Sequence, residues 1–159
     1  MQRTTTVFAT TIVTCTLLVA SAQARDISGA AFHPNSSFDA SFITYAVGAV
    51  TNFDSQSSHE VVADLGTVEG PGNVTFTVNV YGVSNGFQQS CFVTRRDIQT
   101  GNALETQFIT NDSGLVTYKA SFTFPPGTLN SSVSVRCQLA RANANGQSYI
   151  YGVFFHTGI

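Results

Sequence analysis

From residue 74 the chain alternates. In VTFTVNVYG, Val74, Phe76, Val78 and Val80 share one side, and Thr75, Thr77, Asn79 and Tyr81 share the other. In VTYKASFTF, Val116, Tyr118, Ala120, Phe122 and Phe124 face one way, against Thr117, Lys119, Ser121 and Thr123. In SVSVRCQL, Val133, Val135, Cys137 and Leu139 oppose Ser132, Ser134, Arg136 and Gln138. A period of two in β-branched and aromatic residues marks strands buried on one face only. FITYAVGAV (42–50), HEVVADL (59–65), CFVTRRD (91–97), LETQFIT (104–110) and YIYGVFFH (149–156) carry the same pattern more weakly. The last of these is read as one unbroken alternation, which sets Phe154 opposite the face shared by Tyr151 and Val153.

The connecting stretches TNFDSQSS, GTVEGPGN, VSNG, QTGN, NDSG, PPGTLNSS and ANANGQ are dense in Gly, Pro, Asn, Asp and Ser, the residues that build turns. Nowhere after residue 24 do apolar residues recur at helical spacing over three turns. Strands joined by short turns without helices predict an all-β chain, a single antiparallel β-sandwich or jelly roll of about eight strands. Parallel pairing would demand longer crossovers.

The first 24 residues change the picture of where the protein works. Arg3 precedes an uncharged run that is most apolar from Ile12 to Ala20, and Ala22 and Ala24 supply a small-x-small cleavage pattern. This predicts a signal peptide over 1–24, cut between Ala24 and Arg25, and a secreted (extracellular or periplasmic) domain over 25–159. Residues 25–40 are read as its leading arm or edge strand. The run is shorter than a transmembrane helix and broken by threonines, so no membrane span is expected. Thr14 before Cys15 departs from a lipoprotein site.

The leaderless chain has 135 residues with six basic and nine acidic side chains. That balance gives no polycation to seek nucleic acid. Cys15 leaves with the leader, and Cys91 and Cys137 remain. Two cysteines in an oxidising compartment pair. No C-x-x-C or paired His spacing exists for a metal site. Both cysteines fall on the apolar side of their strands, which predicts a buried disulfide. Arg95 and Arg141 continue the same faces and are expected to reach solvent at the strand ends.

VNVYGVSNGFQQSCFVTRRDIQTG, YKASFTF, SVSVRCQLAR and GQSYIYGVFF, within residues 74–154, together resemble a loosely defined group of small secreted bacterial β-sandwich proteins of unassigned function. The resemblance implies the same fold class and compartment. Members of that group often carry further cysteines near the place of VVADL, where this chain has none.

Candidate chemistry is sparse. GVSNG (82–86) matches the G-x-S-x-G nucleophile pattern, but that motif needs a strand–turn–helix setting. Here a second strand follows, so SNG is read as a hairpin turn with the Ser84 hydroxyl in water. His33, His59 and His156 are scattered. His59, beside Glu60 with Asp54 and Asp64 nearby, is read as a solvated strand end, since calcium asks for six to eight oxygen ligands. No catalytic centre, metal site or cofactor is expected. Four N-x-[ST] sequons, at Asn35, Asn73, Asn111 and Asn130, fall in or beside turns.

Sugar-binding sandwiches use exposed aromatic rings, and the chain has no Trp. Tyr81 on a polar strand face, Phe87 beside a turn and Phe154 are the candidate binding residues, for a glycan or a protein surface. The leading reading is a non-enzymatic secreted binding domain. Two alternatives stand beside it. One is a small secreted hydrolase acting on polysaccharide, with carboxyls drawn from Glu60, Asp64, Glu69 and Glu105. The other is a structural, self-assembling extracellular subunit built by edge pairing of strands.

Overall fold

The structure is a computed structural model and describes residues 24–69, 75–123 and 130–158. The expected leader lies outside these residues except for Ala24, and Asn73 lies outside them too. The chain runs through β1 (Ala24–Ser28), a 3-10 turn (Gly29–Ala31), β2 (His33–Pro34), α1 (Ser37–Ala40), β3 (Ile43–Ala46) and β4 (Ala49–Asn52). It continues through β5 (His59–Glu69), β6 (Thr75–Asn85), β7 (Gln89–Asp97), β8 (Ala103–Thr110), β9 (Ser113–Thr123), β10 (Asn130–Leu139) and β11 (Tyr149–Gly158). Seven of the eight expected strands are each present as one strand, and the eighth, FITYAVGAV, is divided between β3 and β4.

Two antiparallel sheets face each other. One has the order β3-β4-β11-β6-β9, with β1 taking over the edge of β11 that β4 leaves; the other is β2-β5-β10-β7-β8. The chain passes from one sheet to the other between β1 and β2, β2 and β3, β4 and β5, β5 and β6, β6 and β7, β8 and β9, β9 and β10, and β10 and β11. That winding makes the sandwich a jelly roll.

Alternation builds the core as read. Phe76, Val78 and Val80 of β6 and Tyr118, Ala120 and Phe122 of β9 are buried from one sheet; Val133, Val135 and Leu139 of β10 are buried from the other. Phe76 lies at the centre of an aromatic group, stacked on Phe122 at 5.2 Å and edge-on to Phe155 at 5.6 Å. Cys91 and Cys137 are directly opposite in the β7–β10 ladder and are bonded to each other, fully buried. The bridge therefore ties two neighbouring strands of one sheet and does not join the two sheets.

Four expectations are corrected. FITYAVGAV is not one strand but the hairpin β3–β4, closed by Val47 and Gly48 with φ of 49° and 76°. Both central residues of such a turn need positive φ, which glycine accepts and valine resists. The VSNG segment is not a hairpin turn either, because β6 and β7 belong to different sheets. Ser84 is accordingly buried, with its hydroxyl 3.4 Å from the Phe87 carbonyl oxygen that accepts from it. Arg95 does not reach solvent: it is 3% exposed and donates to the Thr123 carbonyl at 3.3 Å. The fourth concerns β11, where Tyr151 and Val153 do not share a face; its cause is a bulge described below.

Candidate functional site

The register of β11 against β6 shifts between Ile150 and Gly152. Tyr149 pairs with Val83 and Ile150 with Gly82, whereas Gly152 pairs with Tyr81 and Phe154 with Asn79. Tyr151 is the extra residue. A bulge resets the alternation, so Val153 and Phe155 point into the core while Tyr149, Tyr151, Phe154 and His156 lie on the outer face of the six-stranded sheet. The rings of Tyr149 and Tyr151 stack at 6.3 Å with 9° between their planes. Phe154 and His156 follow at 5.4 Å. Tyr81, 42% exposed, joins them from β6 one ladder step from Phe154, a diagonal pair of about 7–8 Å.

The bulge is held by glycine. A Cβ on Gly82 would fall on the Tyr149 carbonyl oxygen, and one on Gly29 would fall on that of Ile150. The rest of the outer face is hydroxyl- and amide-rich. Thr77 and Ser121 are hydrogen-bonded at 3.1 Å, and Asn79 pairs across the ladder with Lys119. The face is thus an aromatic row on a largely neutral polar background.

Of the three expected binding residues, Tyr81 and Phe154 come together on this face. Phe87 does not join them: it lies in the crossing between β6 and β7, under the Arg141 guanidinium at 4.6 Å from its ring centre. Tyr149 and Tyr151 escaped the sequence reading. Gly152 inside a strand pattern was the signal for the bulge that exposes them.

His59 is likewise different from its expected role. It is 1% exposed, its Nδ1 3.0 Å from Asp39 Oδ1 and its Nε2 2.9 Å from Asp54 Oδ2, with Phe42 stacked on the ring at 4.4 Å. Facing a carboxylate on each side, the ring makes both hydrogen bonds only when both nitrogens carry protons. Burial works to raise the pKa of Asp39, but the Ser36 hydroxyl, the His59 ring and the Glu60 backbone N–H outweigh it and hold it below the ordinary value. The His59 ring, with the Gln56 backbone N–H, holds Asp54 low as well. The three side chains pin α1, the segment after β4 and the start of β5 together.

Both carboxylates bind protons less tightly when folded, so their contribution is complete above the unfolded value of about 3.9 and is lost as pH falls through the lower folded values. Thermal unfolding should show a melting temperature that drops below about pH 4. The drop should be smaller in Asp39→Asn, which starts from a lower stability at neutral pH. An identical acid profile in the variant would contradict the arrangement.

On the outer face of the five-stranded sheet, Arg136 stacks over Phe92 at 4.4 Å and reaches Glu60 at 3.2 Å and Glu105 at 3.7 Å. Glu60 and Glu105 thus share one guanidinium as ion-pair partners. Asp64 is separately engaged, accepting from the Gly66 N–H at 2.8 Å. Among the described residues, no group of three or more His, Cys, Asp or Glu side chains is placed to hold a metal ion, and no helix is long and apolar enough to cross a membrane.

No family model matches this chain, and no curated protein matches it. Solved structures similar to it include the CBM36-1 domain of a multidomain xylanase from the hindgut metagenome of Trinervitermes trinervoides, with TM-score 0.49, 11% identity, and coverage of 86% of this chain and 98% of that one. The xylan-binding module CBM15 is similar at TM-score 0.48 and 16% identity, over 86% of this chain and 97% of the module. TmCBM61, whose structure is a complex with β-1,4-galactotriose, is similar at TM-score 0.47 and 13% identity, over 86% and 88% of the two chains.

Proposed function

We propose that this protein is a secreted, non-catalytic domain that binds a glycan chain along the outer face of its six-stranded sheet. The observation that carries the reading is the row of Tyr149, Tyr151 and Phe154 along β11, with Tyr81 beside it on β6. A pyranose ring has an apolar C–H face that lies flat on an aromatic ring, and a rim of hydroxyls that bond to neutral polar groups. Repeated rings along one strand suit a repeating polymer better than a single small molecule. From Tyr149 to His156 the strand runs about 23 Å, enough for several sugar units. Thr77, Asn79, Thr117 and Ser121 lie on the same face as hydrogen-bonding partners.

The charge on this face is low, with Lys119 and Asp26 the charged side chains brought to it by the register. A neutral polysaccharide is therefore the expected class, and its binding should change little with salt. Export by the leader over residues 1–24, with cleavage before Arg25, places the domain where such polymers occur.

The test is a panel of immobilised neutral and charged polysaccharides, incubated with the exported protein at low and high salt. Retention on a neutral polymer at both salt concentrations is expected. Retention only on polyanions, lost in high salt, would contradict the reading, as would turnover of any polymer in the panel.

A further inference from the structure

The two sides of the sandwich end differently. On one side the outermost strands are β2 and β3, of two and four residues. Short strands are a usual way to keep a sheet edge from pairing with another chain. On the other side stand β8 and β9, of eight and eleven residues. Neither contains proline, and neither ladder has a bulge: β6 and β9 pair through eleven consecutive residues, β7 and β8 through eight. Each carries a single charge, Glu105 on β8 and Lys119 on β9.

The same side collects exposed aliphatic side chains. Leu104 is 54% exposed, Ile109 53% and Leu115 86%. Between the two edge strands lies an open cleft of about 560 Å³, lined by Ile109, Leu115, Phe108 and Tyr118 among others. Tyr118 lines it with a largely buried ring, and burial pushes the pKa of its hydroxyl up to about 12 against the opposing effect of the Gln89 side chain. A long, straight, nearly uncharged edge with unpaired backbone donors and acceptors is a template for another strand.

We propose that two copies of this chain pair antiparallel along the free edges of β9, joining their six-stranded sheets into one. Lys119 chooses among the registers. A two-fold axis at Lys119 would set the two ammonium groups opposite each other, which like-charge repulsion disfavours. An axis at Thr117 sets Lys119 opposite Leu115, and one at Tyr118 sets it opposite Thr117; both leave the charges apart. A second copy therefore fits the edge without a like-charge clash, and Leu115, which finds no cover in the monomer, gains a neighbour across the new ladder.

The pairing has a consequence that rests on the glycan reading. The two-fold axis stands perpendicular to the sheet, so both outer faces point the same way. The two aromatic rows would then lie on one continuous surface, separated by the paired β9 strands, and a long polymer would meet two sites in one assembly.

Sedimentation of the exported protein without ligand tests the pairing apart from the glycan reading. A single strand-to-strand contact is a small interface, so association is expected at about 100 μM and dissociation on dilution. The mass should approach twice that of the monomer in the parent. Thr117→Lys sets lysine opposite lysine in either register and should stay monomeric at every concentration. Its melting temperature should match the parent, because Thr117 is exposed. A parent that is monomeric throughout would overturn the proposal, and so would a Thr117→Lys variant that associates as the parent does.

Discussion

Replacing Cys91 and Cys137 together with alanine is expected to lower stability by about 4 kcal/mol, from the loop-closure entropy of a 46-residue separation. The two residues are directly opposite in the ladder of the adjacent strands β7 and β10, with Cα atoms 4.1 Å apart. The bond therefore acts mainly on the unfolded chain, keeping residues that are distant in sequence near each other before the ladder forms. Both side chains are fully buried among Val93, Val135 and their neighbours, so their loss also leaves a small void. Urea unfolding of the double variant against the oxidised parent measures the difference. A change below about 1 kcal/mol would mean that the unfolded ensemble already holds these segments together.

The second large effect is expected at Gly82. A Cβ placed there would point at the carbonyl oxygen of Tyr149, the residue that opens the bulge in β11. The obstacle is backbone, not the flexible end of a side chain, and Gly29 presses on the next carbonyl from its own side. Gly82→Ala must therefore push β11 away from β6. We expect a loss of about 3 kcal/mol, the upper part of the range for overpacking a tight site. Tyr149 and Tyr151 move with the bulge, so glycan binding should weaken in protein that remains folded. Unchanged stability in Gly82→Ala would show that the bulge is looser than its surroundings imply.

Gly82 also shows how far the sequence could be read. It opens the G-x-S-x-G match, whose glycines suggest an exposed nucleophile turn. Its structural reason is the close approach of a neighbouring strand, which only the ladder discloses. Where apolar residues occur at one parity, as in β6, β9 and β10, the faces were legible in advance, since a half-buried strand has only one way to turn. In YIYGVFFH aromatic residues occupy both parities, and periodicity loses its power to choose between the faces. The bulge decides, and with it half of the candidate site.

Other misreadings share a cause. His59 finds its partners in Asp39 and Asp54, and the first of these is brought to it by α1. No local spacing announces that meeting. The Val47–Gly48 turn was hidden because valine occupies a position that asparagine or glycine usually fills. Phe87 was rightly seen beside a turn, but that turn crosses between the sheets at the end of the sandwich, away from the row on β11.

On the proposed reading a glycan is held by the rings along β11 and by Tyr81. Calorimetric titration of the polymer fragment that the parent binds, into Tyr81→Ala, Tyr151→Ala and Phe87→Ala, tests it most directly. Each lost aromatic anchor is expected to cost about 1–3 kcal/mol of binding, roughly 5- to 150-fold in affinity. Tyr81→Ala and Tyr151→Ala should show that loss with melting temperatures close to the parent, while Phe87→Ala binds as the parent does. Full affinity in both tyrosine variants, or a loss confined to Phe87→Ala, would contradict the account.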